Sequence, residues 1–339
     1  MSARLARSLT RIPPGSWTVV MGCGIVSIDL LSIGQPIASA ILLWFAVAVW
    51  LVLVLRLLSS ADRLRTEPRS VAILGSVAGT AVLGARFAAQ GDNLVPATLL
   101  GLAATSFAFL AVPVLRHWIR PATGTSFVLS VALQGIAVLA ATVAASYHAR
   151  WLLAFAGLAS LAGLVSYAVI ARQFNLHEIA AGVGDQWVAG GALAISTLAL
   201  GKITASAAVL GVGGLGVGGL GVATATHDEL VDVTLALWCL AMAWLVVLII
   251  AELARPRLGY DVRRWATVFP VGMYAACAFS TGQLTGITAI TDFARIWTLV
   301  AAAVTLVVLA GLLRRARFRD HAPHDDHGNE QRDPPVELP

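Results

Sequence analysis

Ten apolar runs, each near the ~20 residues that a helix needs to cross ~30 Å of hydrocarbon, divide this chain from end to end. They cover residues 17–34, 37–58, 70–90, 94–115, 127–147, 151–174, 182–209, 229–254, 265–283 and 292–313. The connections between them sort the bases. Counted alternately, one set of connections holds nineteen of the 23 Lys and Arg residues, and the other holds only Arg86, Arg150, Lys202 and Arg295. A missed or invented span would scramble this alternation, so the asymmetry supports both the count and an orientation with N- and C-termini in the cytoplasm. The expected fold is an all-α, multi-pass protein of the cell (plasma) membrane. Residues 1–16 form its cytoplasmic N-terminus, 17–313 the transmembrane domain and 314–339 a disordered cytoplasmic tail. The first run, preceded by Arg4, Arg7 and Arg11, is read as a retained helix rather than a cleaved signal.

With 58% hydrophobic and 12% charged residues, a soluble chain of this length would leave too much apolar surface uncovered. The net charge of +5 then belongs to anionic lipid headgroups, and with no basic stripe interleaved with aromatics it does not point to nucleic acid. Cys23, Cys239 and Cys277 lie inside apolar runs without CxxC spacing and read as small buried hydrophobes. His321, His324 and His327 beside Asp325 and Asp326 have metal-ligand chemistry, but a polar tail with Pro334 and Pro335 is the preferred reading, so neither a metal nor a cofactor is expected. The doubled Gly-Val-Gly-Gly-Leu of residues 211–220 suits a flexible connection. No HExxH, paired carboxylates or Ser/His/Asp set occurs within the spans, and no catalytic residue is assigned.

Odd and even spans differ in bulk. Gly22, Gly24 and Ser27 mark the first; Gly79 and Thr80 the third; Gly190 and Gly191 the seventh; and Pro270 and Gly272 the ninth. The second and eighth instead carry Trp44-Phe45, Trp238 and Trp244. Small residues let backbones approach or leave room for a solute, whereas large apolar ones suit lipid. The economical arrangement is five hairpins around a central pore, with odd helices inside and even helices outside. The glycines then either line the pore or serve tight helix packing alone.

Few polar groups interrupt the spans. Asp185, early in the seventh, is either a coupling or gate carboxylate or a cap for the helix amides. Arg86 and Lys202 fall late in the third and seventh spans, where they either concentrate anions at the outer mouth or reach headgroups and Asp92 or Asp228. Gln134, Thr80 and Thr267 are uncharged candidates for pore contact or for helix-to-helix hydrogen bonds. The central thirds of spans one to six, nine and ten hold no ionisable group, which favours passive conduction over a proton relay.

Several segments resemble the tellurite-resistance and dicarboxylate transporter family, which includes plant slow-type anion channels. They are Ile12-Pro13-Pro14, the run from Met21 to Ser27, Val82-Leu83-Gly84-Ala85-Arg86, the run from Asp185 to Ile195 and Thr267-Val268-Phe269-Pro270-Val271-Gly272-Met273-Tyr274. The resemblance extends from about residue 12 to 313. It implies a homotrimer with a pore in each protomer, closed near mid-membrane by a phenylalanine of the ninth helix, here Phe269. Transport of small anions is the implied function; a proton-coupled C4-dicarboxylate (malate) carrier or a sulfite- or tellurite-related efflux permease is the alternative. Pro270 lacks an amide hydrogen, so a kink that aims Phe269 is expected beside it.

Overall fold

The computed structural model describes residues 14–59, 70–118, 120–175, 177, 184–212, 214–215, 225–255 and 261–320. Among these residues the chain forms ten long helices: α1 (Trp17–Ser32), α2 (Pro36–Ser59), α3 (Gly75–Ala88), α4 (Leu94–Arg116), α5 (Val128–Tyr147), α6 (Arg150–Gln173), α7 (Gln186–Val209), α8 (His227–Ala254), α9 (Trp265–Thr285) and α10 (Thr288–Asp320). Each odd helix packs against the even helix that follows it, giving five hairpins. The odd helices also touch one another in sequence, α1 on α3, α3 on α5, α5 on α7, α7 on α9 and α9 back on α1, so they close a ring.

Burial separates the two sets as expected. In the apolar stretches of α3, α5 and α7, 67–89% of residues are buried, against 22–33% in α2, α4, α6, α8 and α10. Ile41, Trp44, Phe109, Trp151, Val247 and Leu306 are exposed on the even helices. Eight helices are long and apolar enough to cross a membrane by themselves. The other two are inner ones. α1 has 16 residues, and α9 carries Thr267, Tyr274, Ser280, Thr281 and Gln283 along its length. Both are almost entirely covered by other helices, so neither needs a continuous apolar surface.

The hairpin tips share one device. Gly34, Gly91, Gly211 and Gly286 take φ values of 61–85° just past α1, α3, α7 and α9, and His148 takes φ 52° past α5. A left-handed residue there turns the chain out of the helix, and glycine does so without a Cβ penalty. The opposite face, where most Arg residues lie, is entered differently: short 3₁₀ turns at Pro14–Ser16, Val71–Leu74, Gly124–Phe127 and Val262–Arg264 lead into α1, α3, α5 and α9. We call these the hairpin-tip face and the basic face.

One boundary and one connection differ from the sequence reading. α10 continues through Asp320, so residues 314–320 are helix rather than the start of a disordered tail; the Arg-rich segment is a good helix former and simply prolongs the span. The outer connection contributes a two-residue antiparallel pair, Gly214–Leu215 with Ala225–Thr226. His321, His324 and His327 lie outside the described residues, as do residues 1–13.

Candidate functional site

Two cavities lie inside the ring, and residues of all five odd helices or of the 3₁₀ turns before them line each one. The cavity toward the basic face has a volume of about 70 Å³ and is lined by Thr18 and Met21, Gly75, Thr125 and Val128, Asp185 and Val188, and Arg263 and Ala266. Toward the hairpin-tip face the second holds about 270 Å³. Ile25, Ile28, Asp29 and Ser32 of α1 face it, with Ala85 and Ala88 of α3, Val138 and Thr142 of α5, Leu198 and Lys202 of α7, and Ala276, Ser280 and Gln283 of α9.

The helical repeat connects the two linings. On α1 the positions run 18, 21, 25, 28, 32, alternating three and four residues as a single face of an α-helix requires. On α9 the same step leads from Ala266 through Phe269 and Met273 to Ala276 and Ser280. It gives Ala78 and Val82 on α3, Val131 and Gly135 on α5, and Ile195 on α7 between the cavities, while Gly191, the other α7 position of that step, turns its Cβ direction to Pro270. Met21, Ala78, Val82, Val131, Ile195, Phe269 and Met273 are all buried, Phe269 with 1% of its surface exposed. By this phase, buried apolar residues with Phe269 among them fall between the two cavities.

Phe269 is the fifth residue of α9, roughly 6 Å along a helix of 21 residues, so it stands nearer the basic face than the mid-membrane position implied by the resemblance. Pro270 sits in the same uninterrupted helix and packs against α7, where a Cβ at Gly191 would lie 2.9 Å from the Pro270 Cγ.

The expected glycines turn away from the axis. A Cβ at Gly22 would lie 2.9 Å from Val268 Cγ1 of α9, and one at Gly24 2.7 Å from Val82 Cγ1 of α3. At Gly79 it would meet Val20, at Gly190 Tyr274, Leu248 and Trp244, and at Gly272 Ile25, Val26 and Asp29. These five, with Gly191, face contacts between helices, because an inner helix needs its smallest residues where neighbouring backbones close on it. Gly124 is the tightest, since a Cβ there would overlap the backbone of Asp185.

Polar residues expected at the pore mostly tie helices together. Ser27 donates to the Ser39 carbonyl at 2.7 Å and joins α1 to α2. Thr80 accepts from Trp50 Nε1 at 2.9 Å, joining α2 to α3. Gln134 donates to the Ser160 carbonyl at 3.0 Å, and Ser130 donates to the Gly163 carbonyl at 2.9 Å, joining α5 to α6. Arg86 is buried, not at an open mouth: its Nε donates to Ser27 Oγ and its Nη2 to Ser39 Oγ, each at 2.8 Å. Inside a helix bundle a polar chain finds its donor or acceptor on the next helix, because hydrocarbon supplies neither.

Lys202 and Asp185 do reach the axis. Lys202 lines the larger cavity and is exposed into it. Asp185 lines the smaller one, opposite in sign to Arg263 in the same wall. Its carboxylate accepts from Thr125 Oγ1 at 3.2 Å and makes no cap to the α7 amides; its backbone carbonyl accepts from Val188 instead. Sequence reading missed Met273 and Ile195, whose places follow only from the phase of the repeat, and Asp29, considered below.

Comparison with curated proteins gives no match. A sequence profile described as SLAC1, voltage-dependent anion channel, matches residues 11–313, the whole ten-helix bundle and its approach. A closed ring of five helices around two axial cavities, within a chain matched over that length, leads to one assignment: the chain belongs to the SLAC1 family of voltage-dependent anion channels.

Proposed function

We propose that small anions cross this protein along the axis of the inner ring, and that Phe269 is the gate. The observation that carries the reading is the pair of cavities lined from all five odd helices and divided by an apolar layer containing that ring. An anion shedding water to pass a closed apolar layer faces a high barrier, and a swung phenyl side chain is enough to remove or restore it. Lys202 at the larger cavity draws anions toward the gate, and Arg263 does the same from the other side. Between the cavities, Ala, Val, Ile, Met and Phe offer no directional donors, so passage through that layer discriminates among anions by size and by the cost of dehydration.

The exposed aliphatic and aromatic faces of the even helices meet lipid, the basic face is cytoplasmic, and the plasma membrane is the site of action. The functional unit is a homotrimer with a pore per protomer, as the resemblance implies. A coupled carrier of C4-dicarboxylates, or a sulfite- or tellurite-related efflux permease, is the second reading. Its support is Asp185, a carboxylate in the wall of the smaller cavity that accepts from the Thr125 hydroxyl.

Reconstitution of the full chain into liposomes, with chloride, nitrate, sulfite and malate compared with and without a proton gradient, separates these readings. Flux of small inorganic anions indifferent to the gradient is expected. Malate uptake that requires the gradient and is lost in Asp185→Asn would replace the first reading by the second.

A further inference from the structure

Asp29 is the one carboxylate buried within the helix ring among the described residues, and it lies outside the machinery assigned above. It is fully buried, three residues before the end of α1, and borders the larger cavity. Neither carboxylate oxygen has a hydrogen-bond partner. The side chain leans toward α9, where the missing Cβ of Gly272 leaves it room: a Cβ there would stand 3.3 Å from Oδ2. By helix rise, the Asp29 backbone lies roughly 12 Å beyond the level of Phe269 with its carboxylate leaning back to the level of Gly272, and Lys202 lies farther toward the hairpin tips. An anion entering from that face therefore passes Lys202 first and Asp29 second, before it reaches the gate.

We propose that Asp29 is a proton-binding site of the larger cavity, through which acidification on the hairpin-tip face opens that cavity to anions. A group in this place has two states with opposite effects. Ionised, it sets a negative charge in the wall within a few ångströms of the permeating anion, in surroundings where charges interact strongly. Protonated, it is neutral, and the field of the cavity is that of Lys202. The balance is simple: one proton moves from the solution in the cavity to a carboxylate oxygen and returns to it, with no other bond made or broken.

The neighbouring charges leave this role to Asp29. On α9, Cys277 lies within electrostatic reach, while Tyr274 turns its hydroxyl toward Gly190 on α7. On α3 the Arg86 guanidinium is taken by Ser27 and Ser39, and α2 faces this level with the Ser39 hydroxyl. The charged pair nearest the tip of α10, Asp292 with Arg295, is exposed and self-contained at 2.9 Å. Lys202 stands on α7 across the cavity and makes no ion pair with Asp29, whose oxygens remain open.

The inference rests on the permeation reading, so its test is made where flux is already measured. Chloride current of the full chain is recorded in planar bilayers with the pH of the hairpin-tip side stepped from 8 to 5 and the other side fixed, in wild-type protein and with Phe269→Ala to enlarge the signal. Current is expected to rise roughly tenfold or more on acidification. Asp29→Asn should hold the high level at every pH, whereas Asp29→Glu should keep the response with a displaced midpoint and Asp292→Asn, in the exposed pair on α10, should keep it unchanged. An Asp29→Asn profile that superimposes on wild type overturns the inference, as does a response lost in Asp185→Asn but kept in Asp29→Asn. Should Asp29→Asn not assemble, Asp29→Ser is the second variant, and the same two profiles decide. Absence of chloride current from every folded variant at every pH condemns the permeation reading itself, which is a different result.

Discussion

Replacing Phe269 by Ala removes the ring from the layer that divides the two cavities, and the structure sets the size of the effect. The lost side chain frees roughly 100 Å³, about three times the ~30 Å³ that one water occupies in the liquid, between cavities of about 270 and 70 Å³. That is enough to join them through a hydrated neck. If the dry layer costs an anion only ~3 kcal/mol more than a wet one, the flux rises about 100-fold, since each ~1.4 kcal/mol is a factor of ten. Phe269→Leu, which keeps apolar bulk, should fall between the two. Met273→Ala and Ile195→Ala open the same layer from a flexible and a smaller side chain and should each give less than Phe269→Ala. The assay is chloride flux in liposomes, normalised to inserted protein. Thermal unfolding in detergent runs beside it, where the ring should cost about 3 kcal/mol, the lower end for a Phe-to-Ala change, because the void opens onto cavities. A folded Phe269→Ala protein with wild-type flux, or one exceeded by Met273→Ala, would refute the gate.

Lys202→Met should lower chloride conductance several-fold at low anion concentration measured from the hairpin-tip face, and the deficit should fade above ~1 M salt, where the screening length is about 3 Å. His148→Gly should raise stability by about 0.5–1 kcal/mol in thermal unfolding, because this exposed residue holds φ 52° at a tip where the other four hairpins use glycine. Gln134→Ala should cost about 0.6–1.7 kcal/mol by the same assay through loss of its bond to the Ser160 carbonyl, while leaving anion flux unchanged. Gly124→Ala should prevent assembly, measured as recovery of monodisperse protein, because its Cβ would overlap the backbone at Asp185.

The span count and the inside–outside division of helices were legible because lipid imposes both: an outer helix needs bulk and apolarity on its exposed side, and an inner one does not. The faces of the inner helices were not. A helix apolar on every side has no amphipathic phase to read, so Gly22 and Gly24 stood out in the sequence while the axial stripe of Thr18, Met21, Ile25, Ile28 and Ser32 did not. Those two glycines flank the stripe and fit α1 between α9 and α3. Asp29 was hidden for a related reason. It lies three residues before the end of α1, and the signal that places it inside the helix is the turn at Gly34-Gln35-Pro36. Phe269 alone was reached by resemblance, and the repeat from Ala266 to Ala276 puts it in phase with residues that line the two cavities.

The division of labour among small and medium residues follows from the ring itself. Five helices enclosing an axis leave a wide bore unless neighbours press closely, and the glycines at Val268, Val82, Val20 and Pro270 permit that approach without occupying the axis. Once the backbones are close, the residues pointing inward need only be Ala, Val, Ile, Met and a single Phe to shut the layer. Polar chains are then spent between helices, on Ser27–Ser39, Trp50–Thr80 and Gln134–Ser160, and the axis keeps charged groups only at its ends. On the proposed reading such a passage has little with which to recognise one anion: a single ring sets whether any anion passes, and the charges beside the cavities set how often one arrives.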